Sequence, residues 1–502
     1  RAMIGLGGAQ QSLVDYLHQQ SEGNVLFLVE VIRTLAEDAG NLRSIGMKTL
    51  PQHVFTGGIE RIIARRLERL SAEAIPTLQL AAVAGRVVDE ALMRWLVGTE
   101  ADRWLQAGMG AAILDVMDAQ LRFAHDRLRD AVISMIPADQ LAHFHQRIAE
   151  GLETLYPGKA ELAVVLCEHW HAVGNSEKEA TYAVQVMEQR MMLGILNEAN
   201  IMMERALILK PQDPYLQLRL KRRAGSIYYD MGKAQLSIDA YAETLRLARQ
   251  LDQPEIAGQA LEGLGNASMA VSDFDTAFRW YEESIDLRRK NGDDRGLASS
   301  LIALSVLYRF WGRYDESWQT LEQSVNLRRN VHDLRGLGDG LYQMSVHARN
   351  RGEYSAAISY LLEGIEVRRA IVDGRGLGDD LTNLGICYTL TGDYEQARAS
   401  LLEALELRRS SDNQRGVAAC QSALGEMALV QGQHGTAIRK FGTALGIWQG
   451  ALDRWNIANS YACIGCVQAQ AHEMLSAKYH LYEGLRIAHS IPAHFLVLKA
   501  LI

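Results

Sequence analysis

A period of 40 residues limits what this chain can fold into more than any other feature. Gly232, Ser272, Gly312, Gly352, Gly392, Gly432 and His472 stand 40 apart. Seven positions before each is a small residue: Gly225, Gly265, Ser305, Ser345, Gly385, Gly425 and Gly465. Five positions after each is another: Ser237, Ala277, Ser317, Ala357, Ala397, Ala437 and Ala477. An apolar stripe (Leu245, Ile285, Val325, Ile365, Leu405, Leu445 and Leu485) keeps the same step. Two helices joined by a short turn cannot bury their apolar faces alone, and stacked neighbours complete the core. Small residues let the helix axes approach closely. A turn glycine permits the positive φ that ends the first helix, and Phe274, Tyr314, Tyr354 and Tyr394 then pack over the hairpin. The expectation is an array of helical hairpins from about Gln212 to Ile491, a surface for binding rather than catalysis.

The pattern resembles the tetratricopeptide repeat. Asn383-Leu384-Gly385, Tyr388, Gly392-Asp393-Tyr394 and Ala397 match its hairpin signature. The usual period of that repeat is about 34 residues, so the helices here should be longer, as in the kinesin-light-chain and Pins-like subgroups. Some members clamp a terminal carboxylate with Asn and Lys. The Asn column here reads Arg223, Gly263, Ala303, Gln343, Asn383, Ala423 and Cys463. One Asn is not a clamp, so chaperone-tail binding is not expected.

Arginines recur between hairpins. One set is Arg288-Arg289, Arg328-Arg329, Arg368-Arg369 and Arg408-Arg409; the other is Arg295-Gly296, Arg335-Gly336, Arg375-Gly376 and Arg415-Gly416. Asp293, Asp333, Asp373 and Asn413 precede the second set and read as helix N-caps. Two readings of the arginines stand open. They form a ladder of ion pairs with Glu283, Glu363 and Glu403, or Arg295, Arg335, Arg375 and Arg415 recognise an acidic protein or peptide partner.

The N-terminal third breaks the period. Short apolar helices at Leu78–Ala84 and Glu90–Leu96 are followed by Ile113–Phe123, which alternates like a hairpin, and then by a helix at Asp126–Met135. That order suggests a winged helix. The expected organisation is a lid-like helical segment (1–48), a winged helix (49–137), degenerate hairpins (138–211) and the array (212–502). The fold class is all-α: a tetratricopeptide-type superhelix preceded by a small winged-helix domain.

This order resembles the C-terminal half of a STAND-type signalling NTPase module. Gly23-Asn24 match the start of the family's lid helix, with Val25 in place of proline. Ala124-His125-Asp126 match its Met-His-Asp motif except at the first residue. The resemblance implies that His125, with Asp126, Gly23 and Asn24, senses nucleotide, His125 touching the β-phosphate of ADP. A His at a helix start can donate to an anion there. The plainer reading is that His125 caps its helix.

Other chemistry finds no support. Gly5–Ser12 is glycine-rich but has no Lys, so no P-loop is present. No catalysis or cofactor is expected of this chain, with ATP or ADP belonging to a longer parent. Arg1 and Ile502 both read as cut ends, consistent with a piece of such a parent. Five cysteines suggest a reducing, cytoplasmic setting. Cys463 and Cys466 lack the second pair that a zinc site needs. The His143/His145 and His169/His171 pairs, two residues apart, point to different helix faces and no metal is expected. No 18-residue apolar run occurs, so no membrane span is expected. The net charge is −8. The candidate recognition stretch around Asp102–Met109 holds only Arg103. Nucleic acid is therefore not the expected partner. The expected function is the sensor segment of a STAND NTPase. The other reading is a free-standing scaffold that binds a peptide in its groove.

Overall fold

Proline, aspartate and glycine mark where the N-terminal helices begin and end. In the computed structural model, described residues run from 66 to 489, less 69, 99, 100, 118, 412 and 452. The chain forms two compact units that part between Leu220 and Lys221. Helix α1 (Ile75–Ala84) carries Pro76 in its first turn, where the missing N–H costs nothing. Asp89 caps α2 (Glu90–Val97): one carboxylate oxygen accepts from the Leu92 N–H at 3.0 Å, the other from the Tyr156 hydroxyl at 2.7 Å. Helix α3 (Ala101–Gly110) leads into an antiparallel hairpin of β1 (Leu114–Met117) and β2 (Gln120–Phe123), with Leu114 opposite Phe123. Val87 adds a bridge to Arg122. Helix α4 (Asp126–Ser134) follows. The two short helices, the hairpin and the helix after it occur in the order read from the sequence, with α3 standing before the hairpin.

The next two helices, α5 (Ala138–Leu155) and α6 (Ala163–Val173), join the same core. Ile113, Phe123 and Ile148 are fully buried together, with Leu166 and Trp170 beside them. Such burial stabilises by about 1.5–3 kcal/mol per large side chain. Two arginines tie the layers through backbone carbonyls: Arg129 donates to Ala82 at 2.7 Å and Arg147 to Leu96 at 2.6 Å. Helices α7 (Ser176–Met192) and α8 (Leu196–Leu209) form a hairpin. There Glu179, buried, accepts from Arg205 at 2.7 Å and meets His171 at 3.1 Å.

Between α5 and α6, the Nδ1 atoms of His145 and His169 lie 2.7 Å apart. One nitrogen must donate and the other accept, so the two rings cannot both be charged in this geometry. Burial, with help from His145, pushes His169 down to about 4, and burial also lowers His145. Both folded values lie below the ordinary histidine value of 6.5, so this stability is present above that pH and is lost as pH falls towards 4. The melting temperature of this unit should drop between pH 7 and pH 4. His169→Gln should flatten that slope in melts followed by circular dichroism; an unchanged slope would assign the acid sensitivity elsewhere.

The array begins with α9 (Pro214–Asp230), which crosses the boundary between units, and α10 (Ala234–Gln250). Hairpins α11–α12 (Pro254–Ala270, Phe274–Asn291), α13–α14 (Asp294–Phe310, Tyr314–Asn330) and α15–α16 (Leu334–Asn350, Tyr354–Ala370) follow. Then come α17–α18 (Gly374–Thr391, Tyr394–Ser410), α19–α20 (Gln414–Val430, His434–Gly450) and α21–α22 (Arg454–Gln470, Met474–His489). The turn position has positive φ throughout, including Ser272 and His472 at 61°. The small column works as a socket. A Cβ on Gly265 would stand 2.3 Å from Tyr281, and one on Gly385 2.5 Å from Leu401. Consecutive first helices, from α11 to α19, touch one another more extensively than consecutive second helices do. The first helices therefore line the inner, concave side of the array.

Candidate ligand-binding groove

Each interior second helix ends in two arginines, and the two have different surroundings. The first of each pair (Arg288, Arg328, Arg368 and Arg408) is buried at 3–5% exposure. Arg288 reaches Glu262 and the Ser300 hydroxyl, each at 2.8 Å, and the Gly296 carbonyl. Arg328 meets Asp333 at 3.5 Å. Arg368 holds Asp339 at 2.9 Å and both Asp373 and Asp380 at 2.7 Å. Arg408 pairs with Asp379. These guanidiniums pass over the glycine of the following Arg-Gly step. A Cβ on Gly336 would lie 1.7 Å from Arg328 Nη1, and one on Gly376 1.8 Å from Arg368 Nη1. The glycine is thus a passage for a buried charge, which sequence reading missed. The predicted N-caps are present: Asp293, Asp333, Asp373 and Asn413 accept from the backbone N–H of that glycine at 2.8–3.2 Å.

The second arginine builds the ladder. Arg329–Glu363 and Arg369–Glu403 pair at 2.6 Å, and Arg249 pairs with Glu283. Arg289 would need an acid at position 323, finds Gln323 there, and pairs with Asp286 at 3.8 Å instead. All these rungs are about half exposed, so each contributes roughly 0.2–1 kcal/mol.

Asp380 stands in a column otherwise filled by Ser300, Gly340, Cys420 and Ser460. It is fully buried and accepts from Arg368 Nε. The Nε atoms of Arg288, Arg328 and Arg408 have no hydrogen-bond partner among the described residues. Burial raises the Asp380 carboxyl to about 7, against the pull of Arg368.

The predicted ligand residues Arg295, Arg335, Arg375 and Arg415 are the second residues of α13, α15, α17 and α19. All four are exposed and none forms an ion pair with the described residues. Asp230, at the end of α9, connects them to the far side of the groove. Its side chain is open to solvent, yet the surrounding walls raise its carboxyl, and the charges of Arg375 and Arg415 pull it back. The charges of Arg375 and Arg415 thus act on this carboxylate from helices later in the array.

In the N-terminal unit, His125 is the N-cap of α4. Its Nδ1 accepts from the Arg127 N–H at 3.2 Å. An accepting Nδ1 places the ring proton on Nε2 of the neutral imidazole, which can then donate to an anion. Asp126 pairs with Arg86 at 3.2 Å. Gly23 and Asn24 lie outside the described residues. No three His, Cys, Asp or Glu side chains among the described residues gather as metal ligands. The five cysteines are free, and burial pushes the Cys167 thiol up to about 11, which keeps it protonated and unreactive. No helix among the described residues is long and apolar enough to cross a membrane.

Residues 256–330 and 339–410 match the tetratricopeptide repeat family. The hairpins α11 to α18 of the array are tetratricopeptide repeats over these residues. No curated protein matches in sequence. Among solved structures, the chain is similar to a signal transduction ATPase with numerous domains (STAND) with a tetratricopeptide repeat sensor from Pyrococcus horikoshii. The TM-score is 0.54 at 15% identity, over 97% of this chain and 70% of the other. It is also similar to a Rap protein complexed with competence and sporulation factor, with a TM-score of 0.49 at 12% identity over 72% of this chain and all of that one. Kinesin-light-chain-like repeats from Podospora anserina align over 39% of this chain and 96% of theirs, at 15% identity and a TM-score of 0.33. The first of these likenesses carries the fold.

Proposed function

We propose that the array is the sensor arm of a STAND-type nucleotide switch, binding a protein or peptide in its groove, and that the N-terminal unit couples binding to nucleotide state. The observation that carries the binding half is the row of exposed arginines on the concave side, which form no ion pair with the described residues. A guanidinium recognises carboxylate or phosphate oxygens in a fork, so an acidic partner fits. What supports the coupling half is the fold likeness to a STAND protein with a repeat sensor, together with His125 at a helix start with its Nε2 proton available. The proposal assigns no catalytic step to the described residues; ADP or ATP would be bound by the longer parent. Its setting would be cytoplasmic.

The full-length protein carrying His125→Ala should bind ADP at least about tenfold more weakly by calorimetry, which is a loss of about 1.4 kcal/mol. Unchanged ADP affinity would remove the coupling role and leave the second reading, a free-standing peptide-binding scaffold, which the capping bond of His125 favours. Arg335→Glu with Arg375→Glu should abolish partner capture while helicity is retained. Lost helicity would instead make these arginines part of the framework.

A further inference from the structure

The chain uses one sequence offset for two different purposes. At the ends of the second helices, arginine and glutamate 34 residues apart neutralise each other, as in Arg329–Glu363 and Arg369–Glu403. On the concave helices the same offset of 34 sets Arg309 beside Gln343 at 3.4 Å and Arg349 beside Asn383 at 2.7 Å. An amide oxygen orients a guanidinium without cancelling its charge, whereas a carboxylate does both. Both arginines are half-buried, and neither forms an ion pair with the described residues.

Beside these two amide oxygens the wall also holds a donor. Asn383 Nδ2 donates to the Tyr342 hydroxyl at 3.2 Å, which leaves the Tyr342 proton free to donate elsewhere. The carboxylates whose charge acts on the Tyr342 hydroxyl, Asp379 and Asp380, are held by Arg408 and Arg368, and Asp315 and Glu353 face Arg351. Arg313 lies over the rings of Tyr308 and Trp311. Burial lowers the pKa of Arg309; Tyr342 opposes this and the charge of Arg349 adds to it. Two half-buried cations on neighbouring concave helices thus form no ion pair with the described residues, and cations so placed are stabilised by an anion.

We propose that Arg309, Arg349 and the Tyr342 hydroxyl form an oxyanion subsite in the wall of the groove, oriented by Gln343 and Asn383, that takes a carboxylate or phosphate group of the ligand. The proposal rests on the groove being the binding surface, but on residues other than the exposed arginine row. The two kinds of arginine then have separate roles. Arg309 and Arg349 anchor one anionic group at a fixed place, while the exposed row provides the long-range field.

The test is calorimetry on the whole chain in chloride buffer with two probes, inorganic phosphate and a hexaglutamate peptide. At least one should bind with a Kd of about 1 mM or tighter. The tighter of the two assigns the anion as phosphoryl or carboxylate. Arg309→Gln with Arg349→Gln should weaken binding at least about tenfold, while Arg329→Gln with Arg369→Gln should leave it unchanged. If the first pair melts early, Gln343→Glu with Asn383→Asp carries the test. These changes give each guanidinium an internal carboxylate, so the fold should hold and the probe should be excluded. Failure of both probes to bind overturns the proposal, as does undiminished binding in the Gln343→Glu, Asn383→Asp variant. If binding survives there but is lost in Arg335→Glu, Arg375→Glu, the anion belongs to the exposed row. In that case the proposed function stands and this subsite does not.

Discussion

Arg368→Met should cost the array roughly 3–5 kcal/mol, the range for breaking a buried ion pair by removing one partner. The guanidinium holds three carboxylates, Asp339, Asp373 and Asp380, and the last is fully buried. Its removal leaves Asp380 with no cation and strips Asp373, the cap of α17, of its second partner. The loss should depend on pH. The Asp380 carboxyl is raised from 3.8 to about 7 by burial. A raised folded pKa means that its contribution to stability is complete below the unfolded value and is lost as pH rises through the folded one. The Arg368→Met deficit should therefore be smaller at pH 5, where Asp380 can be neutral, than at pH 8. Asp380→Asn alone should flatten the pH dependence of stability between those values. Because a repeat array unfolds in parts, the reading should come from hydrogen exchange in α16 and α17 as well as from urea midpoints. Equal deficits at the two pH values would show that Asp380 does not titrate in this range.

Glycine-to-alanine changes should have opposite signs in two parts of the array. At Gly336 the new methyl would meet Arg328 Nη1 at 1.7 Å and Asp333 Oδ2 at 2.1 Å. The guanidinium cannot swing out to water without leaving its buried site, so the change should cost about 1–3 kcal/mol. Gly442 and Gly446 are exposed in the middle of α20, with nothing within 4 Å of an added Cβ. Alanine there should stabilise by roughly 0.5–1 kcal/mol, because glycine loses more chain entropy on entering a helix. Urea denaturation of Gly336→Ala, Gly442→Ala and Gly446→Ala beside the unsubstituted chain reads both signs. A neutral Gly336→Ala would mean that Arg328 has another place to go.

Repetition decided what could be read from the residues alone. The turn, the socket column, the interior helix caps and most rungs of the glutamate ladder recur at a fixed step, so a role seen in one hairpin carries over to its neighbours. Non-repeating features stayed hidden. Asp380 occurs once in a column of small residues, and its partner comes from the preceding helix. Arg309 and Arg349 share a column with Tyr229, Met269, Thr389, Leu429 and Ala469, too mixed to be seen as a site. Asn383 was set aside because one Asn does not make a clamp, while its actual partners are an arginine 34 residues back and a tyrosine hydroxyl. In the N-terminal unit, spacing within a helix paired His143 with His145 and His169 with His171. The fold instead pairs His145 with His169 across two helices. The Arg-Gly step was legible as a pattern but not as a cause, since the buried arginine it accommodates lies several residues earlier in the chain.

The pull of the Arg375 and Arg415 charges on Asp230 also bears on the mechanics of the array. Because those two charges act on the first hairpin from the fifth and sixth, the array should behave as a coil spring whose pitch depends partly on charge. Added salt screens that attraction within a Debye length of about 8–10 Å and lets the coil lengthen. A bound anion that claims the two arginines releases Asp230 and does the same at constant salt. Occupancy in the middle of the spring is then expressed as a displacement of its ends.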